Sequence, residues 1–311
     1  MTEKTGVLLM AYGAARSLDE IGAYLADIRH GRPADPELVR EIRSRYEAMG
    51  GKSPLPELTA KQGRALQAAL GPSFEVGMGM RHSAPRIADA LDELFRGGCS
   101  TVVGLPLTPF ASTLSTGAYF AKLDEAAAGL GASARVRRAA SFHDHPRLIA
   151  AYGERARAAL AKFGGAFPRV LFTAHSLPAR IESEGDPYPR QLQETAALVA
   201  KALELESWDF AYQSQGRTGE PWLGPDAAEL LDRFSREGVK SVLLSPIGFV
   251  CEHLETLYDD DVLYRGQAER LGIRFERAAA LNEHPGFIDA LADAVHAASS
   301  EKGTFRAPRS Y

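Results

Sequence analysis

Short apolar runs alternate along the chain with longer stretches whose apolar positions recur at helical spacing. The continuous runs at 7–10, 74–78, 101–106, 134–139, 169–173, 210–213, 241–246 and 274–278 read as strands. Between them, residues 85–96, 115–130, 146–162, 188–205, 225–236 and 285–297 carry amphipathic helical patterns. Most open on or near a proline, which the first helical turn tolerates. Runs that do not alternate with polar residues belong to strands covered on both faces. Strand–helix alternation then predicts parallel sheets with helices on either side. One region departs from this. Residues 29–70 hold no strand; Asp35 and Pro36 suit an N-cap and first helical residue, Gly50 and Gly51 a stop, and Ser53 to Pro56 a second start. Such a helical excursion after the first strand and helix suggests a lid beside a cleft.

The chain also echoes itself. PRIADALDELFRGGCSTVVGLPLTPF from Pro85 matches PDAAELLDRFSREGVKSVLLSPIGFV from Pro225, at one spacing of about 140 residues. Pro85, Ala88, Leu91, Asp92, Arg96, Gly98, Val102 and Pro106 return as Pro225, Ala228, Leu231, Asp232, Arg236, Gly238, Val242 and Pro246. A second echo pairs VLLMAYGAA with VLFTAHSLP and sets Tyr12 against His175. Helix–strand units resemble one another in any case, but a duplicated unit explains a constant spacing better. The expectation is an α/β chain of two similar flavodoxin-like (Rossmann-type) halves, each a parallel sheet flanked by helices. They are placed at 1–145, with the lid insertion at about 30–70, and at 146–298. The polar stretch 299–311 is expected to be disordered. In such sheets ligands bind beyond the carboxyl ends of the strands, where Tyr12, His175 and the segment 249–255 lie.

Length and composition narrow the class. The 311 residues suit about two domains, and 45% hydrophobic with 24% charged residues is a globular balance. A net charge of −4 argues against a sequence-blind nucleic-acid binder. Cys99 and Cys251 are far apart and form no ligand set, so no iron–sulfur cluster, structural zinc or disulfide framework is expected. No apolar run approaches the ~20 residues of a membrane span and no secretory signal pattern opens the sequence, which makes a cytoplasmic protein the expectation.

Chemistry concentrates in a few places. His175 follows a strand, where an imidazole can bind metal, take a proton or simply bond to backbone. If the segment after the strand at 241–246 is an α-helix, Glu252, Glu255 and Asp259 share a face, with His253 turned off it as a structural residue. Helix-dipole preference accounts for Glu252 and Glu255. The run Asp259, Asp260, Asp261 reads either as a hydrated path for a hard cation or as a solvated face. Arg29, His30, Arg32, Arg40, Arg43 and Arg45 make a local basic excess that suits an anionic ligand, or a charged helix face balanced by Glu37, Glu41 and Glu47. Dinucleotide, P-loop, nucleophile-elbow and HExxH motifs are absent.

The segments MAYG (10–13), RYEAMGGKSPL (45–55), TAHSLP (173–178), GDPYP (185–189), PWLGPD (221–226) and SPIGFVCEHLETLYD (245–259) resemble ferrochelatase, and most of all its monomeric coproporphyrin-using branch. The resemblance runs to about residue 297 and implies insertion of ferrous iron, as substrate, into a porphyrin held in the cleft. It implies that His175 contacts iron and accepts pyrrole protons, with Glu255 as its acidic partner, and that Tyr12 ligates iron from the opposite porphyrin face in the product. Arg29, Arg45, Tyr46, Ser53 and Tyr119 match positions that hold the macrocycle and its propionates. Tyr12 favours coproporphyrin III over protoporphyrin IX. A transient partner for product handover goes with that pathway. Leu263 stands where the family's acidic track often continues, which puts an outer metal site in doubt. A porphyrin carrier would need the pocket but no proton acceptor. A sirohydrochlorin-type chelatase would normally be shorter, with more than one histidine at the site.

Overall fold

The computed structural model describes residues 4–165, 167–216 and 219–300. The first half runs β1 (Lys4–Ala11), α1 (Ile21–Ile28), α2 (Pro36–Ala48), α3 (Leu55–Leu70), β2 (Phe74–Met80), α4 (Ile87–Arg96), β3 (Cys99–Pro106), α5 (Thr116–Gly129) and β4 (Val136–Arg138). The second half runs α6 (Pro146–Leu160), β5 (Arg169–His175), α7 (Arg180–Ser183), α8 (Tyr188–Ala202), β6 (Asp209–Gln213), α9 (Ala227–Arg236) and β7 (Ser241–Ser245). A π-helix (Glu255–Tyr264), α10 (Arg265–Arg270), β8 (Arg274–Arg277) and α11 (Pro285–Ser300) complete it. Each half holds a four-stranded parallel sheet, in the order β2-β1-β3-β4 and β6-β5-β7-β8. These are the same order, with the first strand of each half at the topological switch point. Residues 6–11 of β1 are all buried, as expected of a strand covered on both faces.

The echo extends to local geometry. Met80 N donates to Pro85 O at 2.7 Å and Tyr212 N to Pro225 O at 2.8 Å. The third residue of each following helix, Asp89 or Glu229, accepts from the backbone N–H of the residue before the helix, Arg86 or Asp226. These two helices begin two residues later than the pattern suggests. Pro85 and Pro225 each follow a cis peptide bond and use their carbonyls to close the loop from the preceding strand. The strand expected at 134–139 is shorter, because Ser133–Arg135 form a 3₁₀ turn.

The two sheets share helices. α11 packs against α6 and also against α3 and β3. One core cluster therefore joins Val7, Leu9, Val103 and Leu105 to Val170, Phe172 and Leu243 through Leu66, Tyr152, Leu291 and Val295. On the cleft side, Asp186 accepts from Ser112 Oγ, Thr113 N and Thr113 Oγ1, tying the second half to the β3–α5 loop. The helical excursion is not all lid. α3 buries Leu66 and Leu70 against β2 and α11, and Gln62 Nε2 donates to Asn282 O at 2.9 Å. α1 and α2 instead gather around a small cluster of their own, Ala15, Ile21, Leu25 and Tyr46. At the other terminus α11 runs through Ser299 and Ser300, so those two expected tail residues are helical. Residues 301–311 lie outside the described residues.

Candidate active site

β5 delivers His175 to the carboxyl edge of the second sheet, where Ser176 N donates to Gln213 O at 2.8 Å and turns the chain. The imidazole Nδ1 donates to Ser176 O. That bond settles the tautomer and leaves Nε2 facing Glu255 Oε1 at 3.4 Å. The second oxygen of Glu255 lies 3.2 Å from His253 Nε2, while His253 Nδ1 donates to Cys251 O. Burial alone would lower the His175 pKa. The Glu255 charge and hydrogen bond, the Ser176 carbonyl and Asp259 outweigh it and raise the value to about 9. Burial likewise opposes ionisation of Glu255, but His175 and His253 hold its carboxyl well below the usual carboxylate range. Phe249 walls the group, its ring centroid 4.9 Å from His253 and 6.5 Å from His175.

The loop that carries Phe249 crosses β5 closely. Gly248 N donates to Thr173 O at 3.0 Å, and a Cβ on Gly248 would sit 2.5 Å from Ala174 Cα. Gly248→Ala is therefore expected to cost about 1–3 kcal/mol, read as a lowered thermal midpoint with reduced turnover, because the loop must rise off His175.

The acids after β7 do not form the expected face. The segment Glu255–Tyr264 is a π-helix, and its i→i+5 bonding widens each turn beyond the α-helical 3.6 residues. Glu252 precedes it and turns away, with Oε1 accepting from Arg277 Nη1 at 3.0 Å and from Ala280 N at 2.9 Å. Asp259 accepts from Ser214 Oγ at 2.6 Å and Arg45 Nη1 at 3.3 Å, Asp260 from Gln213 Nε2 at 2.7 Å, and Asp261 from Arg277. Each of these acids has a partner other than His175, although Glu252 Oε2 and Asp260 Oδ2 are buried without one, and among the described acids Glu255 is the one that pairs with His175. His253, expected to be structural and off the face, instead grips Glu255.

The first half presents Tyr12, the residue after β1 and 40% exposed. Its ring centroid is 4.6 Å from that of His82, and Arg81 Cζ lies 5.8 Å from it. Behind it, His82 Nδ1 meets Asp27 Oδ2 at 2.7 Å, and Arg86 grips both Asp27 oxygens at 2.9 and 3.1 Å. Burial pushes the Tyr12 phenol up to about 12; Arg81 opposes this and Glu255 adds to it. The Glu255 charge is felt in the same way at Tyr24 and Tyr119, after burial itself. Tyr12, Tyr119 and the His175–Glu255 pair therefore share one electrostatic neighbourhood. Sequence reasoning missed Arg81 and His82, although both directly follow β2 and meet the same strand-end criterion that singled out Tyr12.

The remaining expected contacts divide. Arg29 is exposed at the end of α1 and makes no side-chain ion pair among the described residues. Arg45 is engaged by Glu41 and Asp259. Tyr46 is 1% exposed, its hydroxyl accepting from Ala15 N at 3.3 Å, so it props the loop after Tyr12 from behind. Ser53 is buried, and its hydroxyl accepts from Leu55 N ahead of α3. Tyr119 is buried beside Met10 and Leu123.

The ferrochelatase family model matches residues 4–299. The chain belongs to the ferrochelatase family. It is 41% identical over 302 residues to the ferrochelatase of Herpetosiphon aurantiacus, covering 95% of this chain and 99% of that one. It is 38% identical over 307 residues to the coproporphyrin III ferrochelatase of Halalkalibacterium halodurans, covering 96% and 99%. The sirohydrochlorin chelatase SirB from Bacillus subtilis subspecies spizizenii, solved with cobalt, shares the fold. Its TM-score is 0.61 at 12% identity, over 97% of this chain and 98% of that one. This ferrochelatase is accordingly an iron chelatase of haem biosynthesis, with Fe²⁺ as a substrate and a porphyrin as its acceptor.

Proposed function

We propose that this ferrochelatase inserts Fe²⁺ into coproporphyrin III, using His175 and Glu255 at one face of the macrocycle and Tyr12 at the opposite face. The His175–Glu255 pair carries the reading. Metallation must remove two pyrrole protons and strip a hydrated cation, and an imidazole beside a carboxylate can share those tasks. Because Nδ1 is committed to the Ser176 carbonyl, Nε2 is the nitrogen that exchanges protons. The free pair holds one proton between its members, since His175 is raised and Glu255 lowered. Arrival of a cation at Glu255 cancels the charge that holds this proton; the proton passes to water, and the freed Nε2 can then accept one of the two pyrrole protons of the macrocycle.

Coproporphyrin III is favoured over protoporphyrin IX by the phenol of Tyr12, by relatives named for coproporphyrin III, and by the basic residues beside the cleft. The exposed basic residues of the lid, Arg29, Arg32 and Arg40, suit four propionates better than two. Tyr46 serves the same substrate by fixing the loop after Tyr12, and Ser53 by fixing the start of α3. The protein acts as a cytoplasmic monomer that passes its product to a transient partner. No described helix is long and apolar enough to cross a membrane. Anaerobic iron insertion with the two porphyrins side by side tests the reading: faster turnover of coproporphyrin III is expected, and faster turnover of protoporphyrin IX would overturn the substrate.

A further inference from the structure

The connection between the two halves holds a second cluster of metal-type donors, made of residues other than His175 and Glu255. His143, Asp144 and Glu194 each bring one ligand atom to a single point, all within 4.8 Å of one another. His143 and Asp144 lie between β4 and α6, and Glu194 lies on α8. His143 is 9% exposed as a residue, and its backbone carbonyl accepts from Thr195 Oγ1 at 2.8 Å, which fixes the loop on α8.

The hydrogen bonds around Ser141 decide the state of that imidazole. Ser141 Oγ has one proton and two acceptors for it, Pro109 O at 2.8 Å and Gln191 Oε1 at 3.1 Å. Gln191 Oε1 is identified as the amide oxygen by its bond from Ala111 N at 2.7 Å. The closer acceptor, Pro109 O, takes the proton, so that towards His143 Nδ1, 3.0 Å away, the hydroxyl acts as acceptor and Nδ1 as donor. In a neutral imidazole, Nε2 is then a bare lone pair facing Glu194 Oε2 at 3.0 Å. Two lone pairs that close are bridged either by a proton or by a metal cation. The Asp144 carboxylate, which has no hydrogen bond or ion pair among the described residues, adds a third donor. The positive group present is Arg190, whose Nη1 is 3.4 Å from Glu194 Oε2 on a side chain 72% exposed and free to swing aside.

We propose that His143, Asp144 and Glu194 form a divalent-cation site distinct from the chelation centre, taking a first-row metal of borderline character such as Zn²⁺ or Co²⁺. One imidazole and two carboxylates suit that class, and ligand bonds of about 2.0–2.2 Å place neighbouring donors roughly 3.4 Å apart on a tetrahedral ion. Small side-chain movements reach this from the present positions, with a water as the fourth ligand. Ser141 holds the imidazole in the metal-binding tautomer, as outer hydrogen-bond partners commonly do. A bound ion would tie the connection between the halves to α8.

The test is made in full-length protein carrying His175→Ala and Glu255→Gln, which silences the chelation centre. Titration with Co²⁺, followed by its visible absorption and by calorimetry, is expected to show one bound ion. Glu194→Gln is expected to weaken that binding at least tenfold, and Ser141→Ala by about 10- to 100-fold. Metal-free thermal midpoints of each variant control for folding. In the otherwise native enzyme, Glu194→Gln is expected to leave iron insertion unchanged. No Co²⁺ binding up to millimolar concentration, or binding indifferent to Glu194→Gln and His143→Ala alike, would overturn the site and leave a proton as the occupant of the gap.

Discussion

Replacing His175 with alanine is expected to lower iron-insertion turnover by about 10²- to 10⁴-fold, the usual worth of a positioned proton acceptor. Porphyrin affinity, read by fluorescence quenching, should stay within a few fold. The separation follows from the geometry. His175 reaches the site by its Nε2 alone, with Nδ1 bound to the Ser176 carbonyl, so the ring offers little surface to a macrocycle. The apolar and phenolic walls are supplied by Phe249, Trp222 and Tyr12. Loss of porphyrin binding in proportion to turnover would instead make His175 a binding residue and would reopen the carrier alternative.

Glu255→Gln should move the acid limb of the kcat/KM profile to lower pH while reducing metal capture. In the free enzyme the imidazole is raised to about 9, so the neutral base becomes more abundant as pH rises to that value. Without the carboxylate charge, burial drives the imidazole back towards or below its ordinary 6.5, with the Ser176 carbonyl and Asp259 left to oppose it. Stability follows the same pair. The His175 contribution is complete below its ordinary value and is lost as pH climbs through about 9. The Glu255 contribution is complete above 4.5 and is lost as pH falls below the carboxylate range. The stability gap between wild type and Glu255→Gln should therefore be widest between 4.5 and 6.5 and close on either side. A gap that does not vary with pH, measured by denaturant unfolding, would mean that the two groups are not ionised partners.

Much of this architecture is written locally. Continuous apolar runs such as 169–173 can satisfy their backbone only as covered strands, and the spacing that repeats Pro85 at Pro225 repeats a whole topology. Strand-end placement picked out Tyr12 and His175, because a parallel sheet always presents that edge to ligands. The motif resemblance marked Glu255 as well. Arg81 and His82 obey the same rule after β2 but lack an echo in the second half, where Ser214 and Gln215 follow Gln213.

What the sequence by itself determined was the fold class, the duplication, the family and the residues at the strand ends, all of them short-range or periodic signals. Only the tertiary structure decided which acid meets His175. The three acids assumed to share an α-helical face are separated by a π-helix, whose bonding depends on partners far away in the chain: Arg277 draws off Glu252 and Asp261, and Arg45 and Ser214 hold Asp259. The same holds for Tyr46, Ser53 and Tyr119, residues that look like ligand contacts in a linear motif but are buried once helices pack over them. The cation site between the halves is equally invisible in sequence, since Glu194 joins His143 and Asp144 only when α8 folds against the connection. Periodicity reports which face of an element is covered; the pairing of charges depends on the neighbours that cover it.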